Sequence, residues 1–203
     1  MTEADTNREP NNLGMKAEYV PSPENDFGMS SGILLNGEKM WITSDTHFWH
    51  RNILVYEAAN RPFKDVYEMN ETMVQKWNEK VGKDDIVLHL GDFSFGSKSK
   101  AVSIAQRLNG RIWLLLGNHD RQQKYDLREL GFERLIRDPF LLDRKFVFSH
   151  EPLAQIPDGL VNIYGHVHGS RYCNTKDDNR LCACVERWDC APIEYEYVRG
   201  LFV

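Results

Sequence analysis

A chain of 203 residues with 41% hydrophobic and 27% charged residues has an ordinary globular balance. That balance excludes a wholly disordered chain and a fibrous repeat and suits one domain. The formal net charge of −5 argues against broad electrostatic capture of nucleic acid.

The stretch from Met1 to Asn12 is polar and acidic, and it lacks the basic and apolar regions of a secretory signal. No later apolar run approaches the ~20 residues of a membrane span. A cytoplasmic location is therefore expected, with Cys173, Cys182, Cys184 and Cys190 as reduced thiols in or near strands, since no C-x-x-C pair occurs among them. Residues 1–31 read as a flexible N-terminal extension and residues 32–203 as the domain. Ile33 to Leu35, Asn36-Gly37 and Lys39 to Thr43 suggest a hairpin, because Asn-Gly supplies the positive φ angles of a type I′ turn.

Met69, Met73, Trp77 and Val81 recur every four residues, which predicts a core-facing helix of roughly fifteen residues. Ile86 to Leu90 is a buried strand, Ser97 to Arg107 a capped helix, and Arg111 to Leu116 the next strand. Phe140 to Leu142, a turn at Asp143-Arg144 and Lys145 to Ser149 form a second hairpin. Val161 to Tyr164, Leu181 to Arg187 and Ile193 to Val198 complete the strands. Strands alternating with helices, then a strand-rich second half, imply a layered α/β sandwich.

The conspicuous polar residues all follow strands: Asp45 and His47, then Asp92, then Asn118, His119 and Asp120, then His150, then His166 and His168. Ligands bind at the carboxyl ends of strands in open α/β sheets, so these loops can converge on one edge. Carboxylates, an amide oxygen and imidazoles without thiolate suit Mn²⁺, with Zn²⁺ or Fe²⁺ as alternatives and Mg²⁺ less suited. The ligands suffice for two ions, and Asp92 can bridge cations ~3.5–4 Å apart. Gly91, Gly117 and Gly165 each precede a ligand, where the chain must turn sharply.

Asp45-x-His47, Gly91-Asp92, Gly117-Asn118-His119-Asp120, His150 and Gly165-His166-x-His168 resemble, in order, the five-block signature of calcineurin-like metallophosphoesterases. The resemblance implies that Asp45, His47 and His168 hold one metal, that Asn118, His150 and His166 hold a second, and that Asp92 bridges both. It implies a four-layer α/β/β/α sandwich and hydrolysis of phosphate esters by a metal-bound hydroxide. His119 is then the general acid, with Asp120 as a candidate to orient it. Phe95 stands where purple acid phosphatases carry a ligand tyrosine, and Asp120 stands where protein phosphatases have Glu. The surrounding residues look most like small bacterial and phage phosphoesterases.

His50, Arg61 and Arg121 are candidate substrate contacts, whereas His89, inside an apolar run, reads as a core histidine. Gly91 to Lys98 is no phosphate-binding P-loop, because its Lys follows Ser rather than preceding it. The expected substrate is a small phosphodiester or nucleotide. A phosphomonoesterase or metal-dependent nuclease is the alternative, and a non-catalytic binding module is disfavoured because all seven ligand positions are filled. No membrane partner is expected, and the sequence leaves the oligomeric state open.

Overall fold

The computed structural model describes residues 18–20, 28–29, 39–170, 176–177 and 179–202. Its strands are β1 Glu18–Val20, β2 Gly28–Met29, β3 Met40–Thr43, β4 Ile86–His89, β5 Arg111–Leu115 and β6 Arg134–Ile136, followed by β7 Phe140–Leu142, β8 Phe146–Ser149, β9 Val161–Tyr164, β10 Lys176–Asp177, β11 Arg180–Cys182 and β12 Ile193–Glu194. The α-helices are α1 Ile53–Tyr56, α2 Val66–Lys80, α3 Lys98–Ala105 and α4 Tyr195–Gly200. Two six-stranded sheets result, in the orders β1-β6-β5-β4-β3-β12 and β10-β11-β9-β8-β7-β2.

The α/β sandwich is the one expected. Apolar alternation sends one face of each sheet into a shared core, with Ile42, Leu88, Trp113 and Leu115 from the first meeting Phe146, Phe148, Ile163 and Leu181 from the second. The opposite face of the first sheet packs on α2 and α3 through Val87, Leu114, Met69, Met73, Trp77 and Ile104. Asp65 caps α2, accepting at 2.9 Å from the backbone N–H groups of both Tyr67 and Glu68. Helical cover is uneven. α4 closes the inter-sheet core with Tyr195 and Val198, while Asn162 on the outer face of the second sheet accepts from Leu153 in the 151–160 loop.

Several boundaries differ from the sequence reading. Ile193 to Val198 is strand only at Ile193–Glu194, because Tyr195 and Val198, three apart, both reach the core once the chain coils into α4. Leu181 to Arg187 ends as a strand at Cys182 and finishes in a 3₁₀ turn, Val185–Arg187. The helix after Ser97 stops at Ala105, and Ser97 makes no side-chain cap. β6 had no counterpart. The Asp143-Arg144 turn is as expected, with φ of 52° and 53°. Of the first hairpin only β3 is described; its proposed partner and turn lie outside the described residues. Within the stretch read as an extension, β1 pairs in parallel with β6 and β2 with β7.

β3, β4 and β5 are mutually parallel, as are β8 and β9, so their carboxyl ends open on the same rim. Beyond the strands the pairing continues in the loops: Asp45 N–H donates to Gly91 O, His47 N–H to Asp92 O, and Gly165 N–H to His150 O. These loops are therefore extensions of the sheets, which is how a rigid scaffold holds them.

Candidate metal centre

All seven sequence-predicted ligands meet at that rim. The acid and imidazole groups of Asp45, His47 and His168 approach within 4.8 Å of one another, as do those of Asp92, His150 and His166. Asp92 joins the two groups, since its Oδ2 lies 3.6 Å from His47 Nε2 and 3.6 Å from His150 Nε2. Asn118 completes the second group, with Oδ1 at 2.9 Å from His150 Nε2 and 3.2 Å from His166 Nδ1.

The residues fit cations on their own chemistry. Asp45 Oδ1 and His47 Nε2 are both buried without a hydrogen-bond partner and lie 3.7 Å apart. His150 Nδ1–H donates to the Leu90 carbonyl at 2.8 Å, so its Nε2 presents a lone pair to Asn118 Oδ1. Crowded lone pairs of this kind are costly without a cation among them. Metal-ligating imidazoles commonly donate their other N–H to a fixed acceptor, and His168 does so to Glu186 Oε1 at 2.9 Å.

The backbone is unusual at these positions. Asp45, His47, Asp92, His166 and His168 all have positive φ, between 49° and 70°. Asp and His tolerate this region better than most non-glycine residues. Gly117 must be glycine for closeness, since a Cβ there would lie 2.2 Å from Asp92 Oδ1. Gly91 combines a φ of 105° with the same crowding.

Two candidate metal-ligand groups with one carboxylate between them, presented on strand-end loops of this sandwich, point to the relationship. The chain belongs to the calcineurin-like phosphoesterase family. The family's sequence model matches residues 38–189. An uncharacterised protein of Methanocaldococcus jannaschii is 37% identical over 138 residues, covering 65% of this chain and 70% of its own. The Gene 66 protein of Mycobacterium phage L5 is 40% identical over 83 residues, or 39% of each chain. Among solved structures, a protein of unknown function from Aquifex aeolicus superposes with a TM-score of 0.65 at 28% identity, covering 81% of this chain and all (100%) of that one.

Within this phosphoesterase site the other candidates divide. His119 stands at the mouth, its side chain 34% exposed and its Nε2 3.8 Å from Asp92 Oδ2. Its backbone N–H donates to Asp92 Oδ1 at 2.9 Å. Asp120 does not face the His119 ring. Its buried carboxylate accepts from the N–H groups of Asp92, Phe93 and Gly117, tying the loop after β4 to the loop after β5. Burial raises its pKa despite those bonds.

Arg61 departs from its expected role. It is fully buried and cannot meet substrate: its guanidinium donates to the carbonyls of Asp45 and Thr46 and pairs with Glu186 at 2.6 Å. His50 stacks on Phe95 with ring centroids 3.8 Å apart, and its Nδ1 lies 3.3 Å from His47 Nδ1; the tautomer in which His47 Nδ1 donates leaves His47 Nε2 for the cluster. Burial and then the neighbouring His119 push the His50 pKa down to about 4. Arg121 is exposed beside Asn118 and donates to the Arg137 carbonyl. His89 is the core histidine expected, donating to Thr46 Oγ1 at 3.0 Å and accepting from Gly91 N–H at 3.2 Å.

Glu186 escaped sequence reasoning. It sits in a 3₁₀ turn outside every motif, yet one of its oxygens holds both His168 and Arg61. Burial opposes protonation of His168, but Glu186 and Asp45 outweigh it and raise the pKa to about 9. Asp92 is pushed up to about 7 by burial and the adjacent Asp45 carboxylate. A cation would reverse both tendencies, because its charge favours the carboxylate and competes with the proton. Cys184 Sγ and Ser44 Oγ both donate to Asp45 Oδ2, at 3.3 Å and 2.5 Å. The described cysteines Cys182, Cys184 and Cys190 are buried free thiols. Among the described residues no helix is long and apolar enough to cross a membrane.

Proposed function

We propose that the chain hydrolyses small phosphodiesters, nucleotides among them, using two divalent cations, of which Mn²⁺ suits the mixed oxygen and nitrogen ligands best. The observation that carries this reading is the Asp92 carboxylate lying 3.6 Å from one imidazole of each group. When bound, two cations would neutralise charge on the phosphoryl oxygens and ready a water for attack at neutral pH. Asp45, His47 and His168 would hold one, Asn118, His150 and His166 the other.

In this reading water adds to phosphorus and the bond to the leaving oxygen breaks. His119, solvent-facing and beside the bridging carboxylate, gives the departing oxygen its proton. Asp120 acts at one remove, by fixing the backbone on either side of Asp92. Phe95, stacked against His50 and 4.4 Å from the His119 ring, walls the site and limits how far the imidazole can swing. A diester is favoured because segment 118–123 separates two cavities, of about 330 and 360 Å³, that can each take one arm of the substrate. We place the activity in the cytoplasm.

Manganese loading followed by elemental analysis should give about two ions per chain, and the loaded protein should hydrolyse bis-p-nitrophenyl phosphate with a higher kcat/KM than p-nitrophenyl phosphate. A stoichiometry of one or none would sink the two-metal reading, while a preference for the monoester would overturn the diester assignment alone.

A further inference from the structure

Asn118 and Arg121 face one of the two cavities, and His119, Gln122 and Gln123 face the other. The first, about 330 Å³ in volume, shares its wall with the site through Asn118 and His150. Apolar side chains such as Leu153 also line it, and Arg121 and Arg137, both exposed, form its rim together with a single acid, Glu151. The two arginines come from separate elements. Arg121 lies in the 3₁₀ turn Asp120–Gln122 and Arg137 just after β6, and the Arg121 guanidinium donates to the Arg137 carbonyl, which ties the two segments together at the rim. Among the residues that line the cavity two arginines accompany one carboxylate, in a chain of net charge −5.

We propose that this cavity is a subsite for a second phosphate group, carried on the arm of the substrate that does not leave. The inference rests on the phosphoesterase reading above. Guanidinium groups match phosphate oxygens in pairs, and a phosphate monoester, being close to a dianion at neutral pH, suits two of them better than a neutral sugar hydroxyl with a single oxygen. The volume lies at the low end of small-ligand sites, roughly 300 Å³ and above, which accommodates one nucleoside-sized arm. The arm is the one that stays, because His119, which would protonate the leaving oxygen, lines the other cavity.

The test uses the full-length, manganese-loaded protein and two chromogenic esters with the same leaving group: the p-nitrophenyl ester of thymidine 5′-phosphate, with and without a 3′-phosphate. The mirrored pair, with the ester at the 3′ position and the extra phosphate at 5′, covers the opposite orientation. We expect the extra phosphate to raise kcat/KM about tenfold or more in one of the two pairs, chiefly through KM, as one added charge-assisted contact would. The double variant Arg121→Ala/Arg137→Ala should bring that ratio close to one. No preference in wild type in either pair, or a preference that survives in the double variant, overturns the subsite. If no ester is turned over, the phosphoesterase reading fails, and calorimetric binding of thymidine 3′,5′-bisphosphate against thymidine 5′-phosphate then decides the subsite by the same ratio in wild type and double variant.

Discussion

Around Asp45, His47 and His168 each candidate ligand leans on a side chain. Ser44 and Cys184 hold Asp45, His50 holds His47, and Glu186 holds His168. Around Asn118, His150 and His166 the support among the described residues is sparser: the Leu90 carbonyl fixes His150, the His166 backbone N–H donates to Asp45, and the Asn118 side chain meets His150 and His166. Burial does not separate them, since each group has two buried members and one half-buried histidine, His168 or His166, although the second also forms part of a cavity wall. Outer partners of this kind commonly contribute 10–100-fold in metal affinity. The difference teaches that the two halves are held unequally: the side chains of the first are fixed by a richer set of outer hydrogen bonds than those of the second.

The largest expected effect comes from removing what the halves share. Asp92→Asn replaces an anionic oxygen with an amide nitrogen between the groups, so bound metal and activity should fall together, by more than any single variant outside the ligand set. Elemental analysis beside the diester assay checks this; two retained ions with lost activity would mean that Asp92 does not bridge. Next is His119→Ala, which should keep both ions and lower kcat by about 10²–10⁴, the usual range for a general acid. The loss should be smaller for p-nitrophenolate than for alkoxide leaving groups. An equal loss for both would assign His119 to the phosphoryl oxygens instead.

Glu186→Gln sharpens the comparison itself. It should weaken the first site by about 10–100-fold and spare the second, so that a metal titration separates into two phases. Weakening of both sites alike would show that the two halves are supported as a unit. Glu186→Ala should in addition lower stability by about 3–5 kcal/mol, since it leaves the Arg61 guanidinium buried without its partner. The smallest effect is expected from deleting residues 1–30: removal of β1 and β2 from the sheet edges should lower Tm, while the two ions and diester turnover stay near the full-length values.

The convergence of the seven candidate ligands was legible in the sequence because each follows a short apolar strand in a spacing few other chemistries share. Helix α2 was legible because Met69, Met73, Trp77 and Val81 satisfy one period only. Ile193 to Val198 satisfies two: its alternation suits a strand, while Tyr195 and Val198 suit a helix, and packing into the inter-sheet core decided between them. Arg61 was misjudged because a loop arginine far from any motif gives no sign that its charge will be buried against Glu186, 125 residues away in the chain. Asp120 adjoins His119 in sequence, yet its carboxylate turns to backbone N–H groups, and no spacing rule carries that direction. β6 is only three residues long, too short for a period to show.

The left-handed backbone at Asp45, His47, Asp92, His166 and His168 reaches beyond catalysis. Each such residue costs about 1–3 kcal/mol of conformational strain that the surrounding sheets must absorb. A glycine at His166 would adopt the same φ with ease while giving up a candidate ligand, so a variant with poorer chemistry can melt higher than the metal-free parent. Selection for heat resistance alone would therefore erode this rim first, and a thermostability screen on this scaffold needs an activity filter from its opening round.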